Sequence, residues 1–253
     1  MANPPGVNEF YDINKFPKDS GIFVFFISMP LTNNKQHPKE LNKYDQELIK
    51  KLKLSNTGVQ VIYTDNLYLY SDEKASDLKI KHQMIIEIHK QGWLNILKKN
   101  IFMIPSAFNF LTWNQLLLDC NNFSTYLNKV KFIYVKDKLF QKYVKNDIKR
   151  TGREISENTI NYILEEILVD YLLTKGVIEL KNDYTQNKHK WVLNCYPGKP
   201  HSSHVYLHQR NFFDLNNKKN IFENSWYDLK NKKLYDFNRL DIETFQFEPD
   251  NTK

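Results

Sequence analysis

The chain has 253 residues, enough to bury a sizeable core in one large α/β domain or two small ones, and one is expected. Its net charge of +7 leans toward an anionic partner such as nucleic acid, although an AT-rich gene also produces abundant Lys and Asn. Two cysteines, Cys120 and Cys195, have neither disulfide-framework nor metal-ligand spacing, no secretory signal opens the chain, and no apolar run approaches the roughly 20 residues that span a bilayer. These features set aside a disulfide scaffold and a membrane protein, and a reduced, cytoplasmic location is expected.

Residues 1–20 are polar, with Pro4-Pro5-Gly6 and Phe16-Pro17, and read as an N-terminal extension; residues 21–253 read as the single domain. Residues 22–27 form an unbroken run of β-branched and aromatic residues between Gly21 and Pro30. Such a run suits a strand covered on both faces of a parallel sheet. Ligands sit at the carboxyl ends of strands in that architecture, so Ser28 falls at the favoured edge. Taken alone, Ser28 reads better as a turn residue that satisfies backbone groups.

Helical spacing of Leu41, Tyr44, Leu48, Ile49 and Leu52 predicts a crossover helix over 38–54, stopped by Gly58, followed by a short strand at 59–63. A long helix to about Asn100 starts at a cap on Ser71 or Asp72, and a third strand is expected at 101–104. Residues 108–150 read as two or three helices, with 132–135 ambiguous between helix and strand. The second half of this region is strongly basic: Lys129, Lys131, Lys136, Lys138, Lys142, Lys145, Lys149 and Arg150 meet only Asp137 and Asp147. Ser156 caps a helix that runs to Leu173 and ends at Gly176; strands are expected at 177–180 and 191–195, a helix at 201–212, and irregular aromatic-rich segments beyond. There is no internal repeat.

Neither G-x-G-x-x-G nor G-x-x-x-x-G-K-[ST] occurs, so a dinucleotide fingerprint and a P-loop are unsupported. His204 and His208, spaced i, i+4, lack a nearby acidic helix residue and read as a surface pair in preference to a zinc site. Tyr162 and Glu166 are also four apart and share a helix face, where a phenol and a carboxylate can hold an ammonium group or form an ordinary surface pair.

Three segments together, a strand ending in I-S at 27–28, N-Y-I-L-E-E at 161–166 and V-L-N-C-Y-P at 192–197, resemble the tRNA-dependent cyclodipeptide synthases. The resemblance implies an α/β fold, a single Rossmann-like domain with a mostly parallel central sheet flanked by helices, like the catalytic domain of class I aminoacyl-tRNA synthetases. The chain has neither an H-I-G-H nor a K-M-S-K-S, in keeping with that family's lack of ATP-handling motifs. The implied activity joins amino acids from two charged tRNAs, used in sequence, into a cyclic dipeptide through aminoacyl- and dipeptidyl-serine intermediates. No ATP, metal or other cofactor, no membrane and no obligatory protein partner is implied, and a monomer is expected.

Residue by residue, Ser28 matches the family nucleophile, Tyr162 and Glu166 the pair that holds the substrate's amino group, and Tyr196 the tyrosine that relays a proton. Leu31 and Pro197 stand at the positions that divide the family's two branches, and both resemble the X-Y-P branch. The chain departs at Phe26, where the family commonly has Gly, and at Leu168, where it often has Pro. Phe26, Leu31 and Pro197 are therefore candidates for shaping the aminoacyl pocket. The basic helix that contacts tRNA in the family corresponds to the helix carrying Lys74, Lys79, Lys81, Lys90, Lys98 and Lys99, which equally reads as a solvated face. Two readings of other classes stay open at this point: an inert RNA-binding Rossmann-like domain, and a serine hydrolase. The second is disfavoured because Ser28 lacks a G-x-S-x-G elbow and a histidine placed as its base.

Overall fold

The structure is a computed structural model that describes residues 21–29, 36–52, 57–67, 75–99, 108–118, 120–180 and 189–245. The 1–20 extension, Leu31, Lys74, the helix cap expected at Ser71 or Asp72 and the strand expected at 101–104 lie outside the described residues.

The apolar run is strand β1, Gly21–Ile27, and every one of its residues is buried. Its alternation supplies two cores. Phe23, Phe25 and Ile27 pack with Leu41, Tyr44 and Leu48 of helix α1 (Pro38–Leu52) and with Ile86 and Trp93 of helix α2 (Ala75–Lys99). Ile22, Val24 and Phe26 face the opposite layer, built from α3 (Trp113–Leu118), α4 (Phe123–Lys136), α5 (Lys138–Arg150), α6 (Glu157–Thr174) and α7 (Ser202–Arg210). Each such side chain removed from water contributes roughly 1.5–3 kcal/mol before entropy is counted, which explains a strand with no polar face.

Strand β2 (Thr57–Tyr63) pairs parallel with β1, and β3 (Phe108–Thr112) pairs parallel with β2. On the other side of β1 lies β4 (Trp191–Tyr196), also parallel, followed by parallel β5 (Ser225–Asp228) and antiparallel β6 (Lys233–Asp236). The spatial order is β3-β2-β1-β4-β5-β6. The chain thus builds outward from β1 through β2 and β3, then returns to β1's other edge. That reversal makes the carboxyl ends of β1 and β4 the topological switch point, the crevice where open α/β sheets bind ligands. At the opposite end the sheet closes tightly: a Cβ on Gly21 would sit 1.7 Å from the Trp191 indole, so only glycine fits.

Several expected boundaries are corrected. Gly58 lies inside β2 and does not stop α1. Residues 108–112 are a strand, not the start of a helix, and 132–135 are helical within α4. Residues 177–180 form no strand, because Val177 and Ile178 both donate their amides to Leu172 O and wrap the end of α6. The aromatic-rich tail, expected to be irregular, contributes β5, β6, a 3₁₀ turn (Phe237–Arg239) and the short α8 (Ile242–Phe245).

Helix α6 follows its sequence signals closely. Ser156 Oγ accepts from the Thr159 amide while Thr159 Oγ1 accepts from the Ser156 amide, and the helix ends at Gly176, whose φ is +73°. From Tyr162 to Thr174 every residue is buried except Glu166. A helix hydrophobic nearly all round belongs in the interior, so its one partly exposed carboxylate stands out.

Candidate active site at the sheet switch point

Ser28 is the first residue after β1 and Tyr196 the last of β4, the two strands that flank the switch point. Their side chains meet: Ser28 Oγ lies 2.7 Å from the Tyr196 phenol oxygen. Tyr196 is fixed from the far side by β5. The Gly198 amide donates to Tyr196 O and to Asp228 Oδ1, the Leu229 amide donates to Tyr196 O, and Trp226 Nε1 donates to Gly198 O. Gly198, at φ +147°, makes the turn past the buried Pro197.

A third side chain reaches Ser28. Gln36, 1 % exposed, directs Nε2 to Phe26 O at 2.9 Å and to Ser28 Oγ at 3.4 Å. It is held in turn from α2, because His89 Nε2 donates to Gln36 O at 2.8 Å and the Tyr63 phenol meets His89 Nδ1 at 2.9 Å. Burial lowers the His89 pKa to about 4, so the ring is neutral. The carbonyl can only accept, which puts the proton on Nε2 and leaves Nδ1 to accept from Tyr63.

Tyr162 and Glu166 stand one turn apart on α6. The Arg153 guanidinium lies 4.1 Å from the Tyr162 ring centre, a cation–π contact at the mouth of the helix. Glu166 Oε2 is 3.5 Å from His201 Nε2, while His201 Nδ1 faces Asp147 Oδ1 at 3.7 Å and Arg150 Nη2 at 3.0 Å. Desolvation pulls the His201 imidazole down, but hydrogen bonds and charge from Asp147 and Glu166 outweigh it and lift its pKa to about 9. Asp147 also replaces a side-chain cap on α7, accepting from the Ser202 and Ser203 amides and the Ser203 hydroxyl.

Neighbouring Glu165 is buried and accepts from Trp113 Nε1 at 2.7 Å, and the Trp113 ring meets Phe26 edge-on, with centroids 6.4 Å apart. Phe26 is therefore fixed between the sheet and α3 in the space that a glycine would leave open.

His204 and His208 are not at the surface. They are 1 % and 3 % exposed and joined Nε2 to Nε2 at 3.1 Å, and burial holds both neutral, His208 with a pKa of about 3. His208 Nδ1 is 3.0 Å from Asn224 Oδ1, so the pair belongs to the core packed against Phe237. The sequence pattern concealed this because the partners lie on the tail strands. Among the described residues no group of three His, Cys, Asp or Glu could hold a metal ion, and Cys120 and Cys195 are buried free thiols.

The lysines of α2 are not gathered on one side. Lys79, Lys81, Lys98 and Lys99 are exposed, and Lys90 is half-buried with its Nζ 3.7 Å from Glu87. The side farthest from the core carries Ile80, Met84 and Ile88, each more than 60 % exposed. Gln36, His201 and Trp113 are the site neighbours that no sequence motif marked. His201 was one of seven histidines, and Gln36 lies in no recognisable signal.

No protein-family model and no curated protein matches the chain. Among solved structures, a cyclodipeptide synthase from Staphylococcus haemolyticus is similar over 79 % of this chain and 86 % of that one, at 14 % identity and a TM-score of 0.50. The cyclodipeptide synthase from Candidatus Glomeribacter gigasporarum, solved bound to Phe-tRNAPhe, is similar over 79 % and 86 %, at 15 % identity and a TM-score of 0.48. A tyrosyl-tRNA synthetase from Leishmania major covers 79 % of this chain with 31 % of its own, at 14 % identity and a TM-score of 0.44. At such identity the likeness to the Staphylococcus haemolyticus structure is one of fold alone: an α/β sheet, mostly parallel and flanked by helices, of the kind found in that cyclodipeptide synthase.

Proposed function

We propose that the chain is a tRNA-dependent cyclodipeptide synthase that condenses two aminoacyl groups, each delivered by a charged tRNA, into a 2,5-diketopiperazine. The observation that carries this reading is the 2.7 Å contact between Ser28 and Tyr196 across the switch point. The strand and helix order that brings Glu166 onto the neighbouring layer adds to it, as does the likeness in fold.

A serine hydroxyl is a weak nucleophile, but an aminoacyl-tRNA ester is already activated, so transfer needs no further energy source. Ser28 Oγ attacks the ester carbonyl of the first aminoacyl-tRNA, its proton is relayed through the Tyr196 phenol, which gives its own proton to the departing ribose oxygen, and the terminal ribose hydroxyl leaves. Tyr162 and Glu166 hold the α-ammonium group of the serine-bound aminoacyl by a charge-assisted hydrogen bond. That group must lose its proton before it can attack, and the Glu166 carboxylate is the acceptor.

The amine then attacks the ester of the second aminoacyl-tRNA and releases that tRNA. Attack in the opposite sense would leave the dipeptide on tRNA and empty the serine. The dipeptide's free amine finally closes on the seryl ester, and Tyr196 returns a proton to Ser28 Oγ. Gln36 acts on this sequence by position, aiming Ser28 Oγ with a donated hydrogen bond, and Phe26, Pro197 and Leu31 shape the aminoacyl pocket. Lysines of α2, together with Lys74, contribute phosphate contacts.

The test is mass spectrometry of the intact protein after incubation with charged tRNA. A gain of one aminoacyl mass is expected, absent in Ser28→Ala, with a cyclic dipeptide in the medium of expressing cells. Glu166→Gln should keep the fold and lose product. An inert RNA-binding domain would bind tRNA without gaining mass, and cyclic dipeptide from Ser28→Ala would remove the nucleophile.

A further inference from the structure

Lys138, Lys142, Lys145 and Lys149 are spaced four, three and four residues apart on α5. At 3.6 residues per turn this places them within about 60° of arc, on one line. The buried residues of the same helix, Phe140, Tyr143, Val144, Asp147 and Ile148, occupy the opposite side. The lysine line therefore points away from the core, with Lys138, Lys142 and Lys149 exposed and Lys145 half-buried.

Among the described residues the two carboxylates nearest it in sequence are engaged elsewhere. Asp137 accepts from the Leu139 and Phe140 amides as the cap of α5 and from the Tyr206 phenol. Asp147 is 2 % exposed and engaged by Ser202, Ser203 and Arg150. Among the described residues none of the four lysines is paired with a carboxylate. Like charges at i, i+3 and i, i+4 repel, so an acid-free line of four weakens the isolated helix. A polyanion that binds along it relieves that repulsion.

The line also leads somewhere. It is roughly 16 Å long at 1.5 Å per residue. It ends at Lys149; the next residue, Arg150, turns about 100° away from the line, with its Nη2 3.0 Å from His201 Nδ1, and His201 Nε2 lies 3.5 Å from Glu166. A strand of phosphates laid on α5 thus ends beside the C-terminal turn of the helix, which adjoins the carboxylate assigned to the aminoacyl amine. On α2, by contrast, the lysines flank an apolar line of Ile80, Met84 and Ile88 and offer no such track.

We infer that the α5 lysine line is a track for the sugar-phosphate backbone of the charged tRNA near its aminoacylated end. This rests on the proposed function for the identity of the RNA. Phosphate contacts release counterions, so each should steepen the salt dependence of binding by about 0.7–0.9 in log K against log[salt].

The experiment is fluorescence anisotropy of labelled, deacylated bulk tRNA with the full chain across a potassium chloride series. The quadruple variant Lys138→Gln, Lys142→Gln, Lys145→Gln, Lys149→Gln should show a slope shallower by about 3, and the corresponding quadruple Arg variant should restore it. Because all four side chains lie off the core and repel one another, the melting temperature should not fall. Wild-type affinity and slope in the Gln variant would overturn the inference. So would wild-type protein that binds phosphatidylglycerol vesicles and not tRNA. The two readings fail separately. Protein that binds tRNA through this line yet never gains aminoacyl mass overturns the proposed function alone, whereas acylation with tRNA binding indifferent to the line overturns the track alone.

Discussion

Ser28 and Tyr196, 168 residues apart in the chain, share a 2.7 Å hydrogen bond because each sits at the carboxyl end of one of two adjacent parallel strands. The bond makes the phenol the natural partner for the Ser28 proton. Tyr196→Phe keeps the ring against Trp226 and removes only that oxygen. We expect kcat for cyclic dipeptide to fall on the order of 100-fold, the range of a lost general acid–base group, while urea unfolding shifts by about 1 kcal/mol. Undiminished turnover in the Phe variant would show that the proton takes another route.

Gln36 predicts a different signature. Its amide nitrogen bridges Phe26 O and Ser28 Oγ, and its backbone is held by neutral His89. In Gln36→Leu the serine remains but its aim is loosened, so the first acylation rate should fall about tenfold with KM little changed. In Gln36→Glu, desolvation raises the new carboxyl's pKa, and only the protonated form can donate to Ser28. Acylation by that variant should therefore improve as pH falls. Stopped single-turnover acylation against pH reads both, and a Leu variant that acylates at the wild-type rate removes the positioning role.

What the sequence made legible, and what it did not, divides along contact range. The β1 run, the Ser156 cap and the Gly176 stop are local signals, and each appears where local chemistry places it. The pairing of Ser28 with Tyr196 came from the family resemblance, since nothing in either segment specifies its neighbour. Residues 177–180 look like a strand by composition, but helix α6 needs their amides for its final carbonyls, and tertiary demand prevails. His204 and His208 read as surface because their covering elements, Trp226 and Phe237, come from a tail without strand periodicity.

Phe26 joins fold and pocket in one side chain. It is 5 % exposed in the central strand, packed edge-on against Trp113. Phe26→Ala should cost about 3–5 kcal/mol in denaturant unfolding, the range for truncating a buried aromatic. If Phe26 also narrows the aminoacyl pocket, the surviving folded enzyme should accept bulkier aminoacyl groups. Product profiling by mass spectrometry would then show cyclic dipeptides of larger residues. A destabilised variant with an unchanged product profile would leave Phe26 a core residue only.

His201 gives the protein a pH dependence whose sign is fixed by its neighbours. From α5 it faces Asp147 and Arg150, from α6 Glu166 and Asp170, and on its own helix His204. Arg150 favours the neutral ring, since only an unprotonated Nδ1 accepts from it, and desolvation does the same. The two carboxylates, Asp147 and Glu166, prevail and raise the pKa to about 9. Asp170, buried and beside Glu166, is pushed well above the usual carboxylate range, and His204, buried, is pushed well below the usual imidazole range and stays neutral. An unfolded histidine titrates near 6.5. The stabilisation is therefore complete below about pH 6.5, declines as pH rises through the interval to about 9, and is absent above it. With a pKa unit equivalent to about 1.4 kcal/mol, wild-type protein should lose on the order of 2–3 kcal/mol from this group between pH 6.5 and 9. Asp147 titrates below its ordinary range and so outside this window. Urea unfolding at pH 6.5, 7.5 and 9 should show the decline in wild type and a nearly flat profile in His201→Gln; parallel declines in both would take the pH response away from His201.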